Sequence, residues 1–142
     1  MDPCKEVLTS VLHTAQMGIS GIEAVKNKAV KPQLLQLLQE QQKEYSMIES
    51  ESFRLASCKG WDLPPRSKLL DKMSTISAKC RLMSGDTDST IAGMLIQGNT
   101  RGMIIGIKHL NHTQELDQEV SQVAHKLLNL ENTNIQKTQQ FL

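Results

Sequence analysis

The stretch IQGNTRGMIIGIKHLNH, residues 96–112, places glycines at 98, 102 and 106 and ends in two histidines. A spacing of four repeats one face of an α-helix, and the apolar residues between the glycines do not alternate as a strand would. Glycine inside a helix costs about 1 kcal/mol relative to alanine, so these three with Gly93 forfeit on the order of 3 to 4 kcal/mol of helix propensity. Close approach of a neighbouring backbone along Gly98, Gly102 and Gly106 is the expected compensation, with Gly18 and Gly21 on an earlier helix as a matching small surface. A gap for a ligand or a second subunit is the alternative. Phosphate cradling does not fit, because these glycines lie within a helix and not in a strand-to-helix loop.

Set on a wheel, Ile91, Leu95, Gly98, Gly102, Ile105, Gly106 and His109 share one arc and Ala92, Ile96, Met103, Ile107 and Leu110 a second. Only Gln97, Arg101 and Lys108 form a polar strip, so this helix, from about Ser89 to Asn111, is predicted to be the most buried of the chain.

Outward from it the same periodicity continues. Asp2-Pro3 reads as an N-cap followed by proline in the first helical position, opening a helix to about Lys28. Pro32 opens a second, whose stripe Leu34, Leu37, Leu38, Gln41, Tyr45, Ile48, Ser52, Leu55 runs to about Lys59, where Gly60 can supply a left-handed end. After the break GWDLPPRSK, residues 66–83 predict a shorter helix. Thr113 is predicted to cap the last one, from Gln114 nearly to the C-terminus, with Leu116, Val120, Val123, Leu127, Leu130, Asn134 and Phe141 along one line. No stretch alternates with period two, so the fold class is all-α. Four long amphipathic helices with a helical crossover between the second and third predict a ferritin-like four-helix bundle, one domain over residues 1–142.

Composition narrows the function classes. The net charge is +1, with Lys and Arg 16 against Asp and Glu 15, and aromatic residues make up only 3%. Neither a nucleic-acid surface nor base stacking is indicated. Cys4, Cys58 and Cys80 show no CxxC spacing and read as reduced thiols of a cytoplasmic protein. The N-terminus enters a helical pattern directly, without a signal peptide, and the apolar stretch from Ser89 to Thr100 is too short to cross a membrane.

Bundles of this architecture can hold two metal ions using Glu from two helices and Glu-x-x-His from the other two. That spacing does not occur here. Glu131-x-x-Asn134 and Gln41-x-x-Glu44 lie near core lines, Glu23 and Glu51 nearby, and His109-x-x-His112 offers a two-point chelate better suited to closing a helix end. Glu44, His109 and Glu131 are therefore the candidate metal ligands, with no catalytic residue and no cofactor expected. His13 and His125 fall on polar faces. Gln41, Ser52 and Asn134, on otherwise apolar lines, predict paired polar groups that either set helix register or line a small pocket.

With these residues in view, STIAGMLIQGNTRGMIIGIKHLN (89–111) and the amphipathic helix after it resemble uncharacterised ferritin-like bundle proteins of Gram-positive, often anaerobic, bacteria. The likeness is strongest from Lys72 to Leu110. It implies the bundle fold and a cytoplasmic setting without an activity, and related bundles occur among spore-coat proteins. The expectation is a non-enzymatic bundle protein that forms a dimer or binds a protein partner; the alternative is a ferritin-like metal-binding protein with a non-standard site.

Overall fold

The computed structural model describes residues 2–65 and 86–142. Among them are four long α-helices and no strand: α1 (Pro3–Val25), α2 (Pro32–Cys58), α3 (Thr87–Asn111) and α4 (Gln118–Thr138). The helix expected over 66–83 and Cys80 lie outside the described residues.

The helix starts follow local chemistry. Asp2 accepts from the Cys4 backbone N–H, and proline fills the first position of both α1 and α2. Asp86 accepts from Ser89 N–H at the start of α3. Gly60 carries φ +66°, the only positive φ among the described residues, and ends α2 as the sequence predicts. The last helix begins four residues later than expected. Asp117, not Thr113, is its cap, because Asp117 accepts from the N–H groups of both Glu119 and Val120. The Thr113 hydroxyl instead donates back to the His109 carbonyl and closes α3.

Contacts across the bundle give the directions. Gly18 faces Tyr45 and Lys26 reaches Gln42, so α1 and α2 are antiparallel. Gln41 meets Thr138 while Arg54 meets Glu119, so α2 and α4 are antiparallel. Gly102 faces Glu131 and Gly93 faces Leu142, so α3 and α4 are antiparallel as well. It follows that α2 and α3 run the same way, so α3 begins at the opposite end of the bundle from where α2 stops.

A single core fills the space between these helices, built around Leu8, Ile22, Leu34, Leu38, Leu55, Ile91 and Val120, each at most 1% exposed. Burying such a side chain stabilises by roughly 1.5 to 3 kcal/mol. Both ends are also clasped. At one, the buried Asp88 carboxylate accepts from the Val30 and Lys31 N–H groups at 2.7 and 2.9 Å, tying the α1–α2 turn to α3. At the other, Lys59 pairs with Asp117 at 2.8 Å and lies 5.7 Å from the centre of the Trp61 ring. The lysine beside it holds the Asp117 carboxyl below the usual carboxylate range.

Helix α3 is not the most buried. Its buried residues are Asp88, Ile91, Ala92, Asn99 and Gly102, whereas α1 and α2 each bury nine. A bundle helix buries the one arc that meets its neighbours. Gly102 faces α4, and the side of the helix that carries Ile104 and Ile107 turns outward, leaving both exposed.

Candidate functional site

The polar residues on the core lines converge at mid-bundle. On α2, Gln41 and Tyr45 are one turn apart; on α4, Glu131, Asn134 and Thr138 follow at three and four residues and so project from one face. All five are buried, as is Asn99 on α3. The Tyr45 hydroxyl donates to Asn99 Oδ1 at 2.5 Å, and the Asn99 amide nitrogen donates to the Leu95 carbonyl at 2.8 Å. Gln41 Nε2 donates to the Thr138 hydroxyl at 3.2 Å. Ser52, predicted as part of this group, bonds instead to the Ile48 carbonyl of its own helix.

Two glycines make room for the layer. A Cβ on Gly18 of α1 would fall 2.5 to 2.7 Å from three carbons of the Tyr45 ring, and one on Gly102 would lie 2.8 Å from Glu131 Cδ. Helix propensity is given up at these positions so that a phenol and a carboxyl can occupy the interior. A Cβ on Gly106 would lie 3.0 Å from Leu128 Cδ2, while one on Gly98 or Gly21 would meet nothing within 4 Å. The small surface on α1 thus faces α2 through Gly18, rather than α3.

Burial sets the electrostatics. Glu131 is 1% exposed, and desolvation pushes its carboxyl up to about 8. Desolvation raises Tyr45 further, with a smaller push from Glu131; the nearby Asn134 pulls the other way. At neutral pH both groups therefore keep their protons. Among the described residues, three buried side-chain atoms have no hydrogen-bond partner: Glu131 Oε1, Gln41 Oε1 and Asn134 Nδ2. Each such atom costs about 1 to 3 kcal/mol. Chemically the layer offers a carboxyl that is mostly protonated at neutral pH, a phenol, a threonine hydroxyl and three side-chain amides.

The three candidate metal ligands do not come together. Glu131 is inside, Glu44 is exposed on α2, and His109 is half-buried in the last turn of α3. Glu23 is exposed and bound to Lys26 and Gln42, each at 2.8 Å. His112 bonds to the Lys108 carbonyl at 2.6 Å and so closes its helix. Among the described residues no three His, Cys, Asp or Glu side chains are placed to hold a metal ion. The residues present do not fit the ligand set of a two-metal carboxylate bundle.

Tyr45 and Asn99 were not singled out from the sequence. Asn99 carried a signal nonetheless, since on the α3 wheel it lies between the two apolar arcs, where a polar residue must be buried. Tyr45 carried none, because a tyrosine on an apolar stripe looks like ordinary core.

A second feature is a groove of about 710 Å³ between α2 and α4. Leu37, Ile48, Val123 and Leu130 lie along it, Glu40, Glu44 and Glu51 belong to its α2 side, and Lys126 and Lys137 to its α4 side. Gln41 and Asn134 belong to its lining too, so it lies directly over the buried polar layer. No helix among the described residues is long and apolar enough to cross a membrane.

No protein-family model, no curated protein and no solved structure matches this chain. Its class therefore rests on its own geometry: an all-α protein of four packed helices with a buried polar layer.

Proposed function

We propose that this chain is a ferritin-like bundle protein that acts by self-association rather than by catalysis, and that the outward face of α3 is the associating surface. The parallel course of α2 and α3 supports the ferritin-like assignment. The observation that carries the functional reading is a pair of exposed isoleucines on one face of α3: Ile104 at 49% and Ile107 at 42%. Ile96 is half-exposed on the same face. Scattered apolar residues on a surface need no explanation, but contiguous β-branched ones on one helix face form the kind of patch that marks an interaction site. Removing them from water in a second copy supplies the driving force.

Sedimentation velocity over a micromolar concentration series tests this reading. The wild-type chain is expected to sediment as an oligomer and Ile104→Glu as a single chain with an unchanged helical circular-dichroism spectrum. A wild-type protein that stays monomeric throughout the series would remove the proposal.

A further inference from the structure

We infer that the surface receiving α3 is the α2–α4 groove of a neighbouring copy, so that the chain associates head to tail; this rests on the self-association proposed above. The dimensions agree. From Leu37 to Glu51 the groove follows fourteen helical rises, about 21 Å, and the strip from Ile96 to Ile107 covers eleven, about 16 Å. Met47, 59% exposed beside the groove, supplies an unbranched and adaptable apolar contact.

Charge selects both the occupant and its orientation. At about 100° per residue, Ile104 is central on the exposed face of α3, with Ile96, Thr100 and Ile107 on one flank and Arg101 and Lys108 on the other. The only acidic residue of α3 is Asp88, which is buried at the far end. Laid with its basic flank toward α2, the helix sets Arg101 and Lys108 against Glu40 and Glu44, and its uncharged flank against Lys126 and Lys137. Turned end for end, it would bring four cations together. Packing α3 antiparallel on α3 of another copy would likewise juxtapose two Arg101 and two Lys108 side chains, and either direction of α3-on-α3 packing leaves the acidic edge of the groove unused. Because α3 forms no part of the groove, each copy keeps a free face and a free groove, and the assembly closes as a ring or extends as a filament.

A mixing experiment distinguishes this arrangement from a symmetric pair. Ile104→Glu spoils the donated helix, and Glu40→Lys with Glu44→Lys reverses the groove edge. All three positions are exposed, so the fold is retained. Each variant alone is expected to associate about tenfold or more weakly than wild type, while an equimolar mixture forms one-to-one dimers and stops there, since each pair retains one intact interface. Wild-type association by the charge-reversed variant, or a mixture that stays monomeric, would overturn the head-to-tail arrangement. A monomeric wild-type protein would instead defeat the self-association on which it rests.

Discussion

The carboxyl group of Glu131 on α4 occupies the space that a side chain on residue 102 of α3 would fill, with Glu131 Cδ 2.8 Å from the position of a Cβ there. Four residues earlier in the same helix, Gly98 faces open space. Two glycines that look equivalent in sequence therefore predict opposite results. Gly102→Ala should destabilise the bundle by about 1 to 3 kcal/mol through overpacking, and Gly98→Ala should stabilise it by up to about 1 kcal/mol through helix propensity. Urea unfolding measures both. In the double variant Gly102→Ala with Glu131→Ala, a cost smaller than the sum of the single costs would locate the clash at the carboxyl.

Stability should fall as pH rises from about 5 to 8. A carboxyl near 4.3 in the unfolded chain is held up to about 8 when folded. Between those values the unfolded state has released a proton that the folded state keeps, so each pH unit favours unfolding by about 1.4 kcal/mol. Below that window both states are protonated, and above it both are ionised. Glu131→Gln should flatten this part of the curve and be the more stable protein at pH 8. Thermal melts of the two proteins across the window check it; equal slopes would contradict the assignment to Glu131.

Tyr45→Phe removes the donor to Asn99 Oδ1 and leaves that buried oxygen without its partner. The expected loss is about 1 to 3 kcal/mol, with helix content unchanged. Tyr45→Phe combined with Asn99→Leu should cost less than the two single substitutions added, because the second change removes the orphaned group.

Asp88 ties the α1–α2 turn to the start of α3 with two charge-assisted bonds. Asp88→Ala is expected to cost about 2 to 4 kcal/mol, and Asp88→Asn about half as much because an amide keeps only one acceptor oxygen. Hydrogen exchange at Val30 and Lys31 should accelerate in both variants, most in the alanine one.

Much of the architecture was written locally. Asp2-Pro3, Pro32 and Gly60 act on their own backbone neighbours, and the stripe from Leu34 to Leu55 marks the buried face of α2 without reference to any partner. Caps and periodicity are short-range effects, which is why the starts of α1 and α2 and the end of α2 were legible. The start of α4 was not: Thr113 and Asp117 are both plausible caps in isolation, and only the positions of the backbone N–H groups separate them.

The sequence by itself determined that the chain makes amphipathic helices, where most of them begin, and that some polar residues lie on their apolar lines. Only the tertiary structure decided which of those residues meet. Periodicity assigns a residue to a face but carries nothing about what stands opposite, and the same four-residue spacing put Gly102 against Glu131, Gly106 against Leu128 and Gly98 against solvent. The separation of Glu44 and His109 from Glu131 has the same origin, because convergence of side chains depends on how separate helices pack, which no single helix encodes.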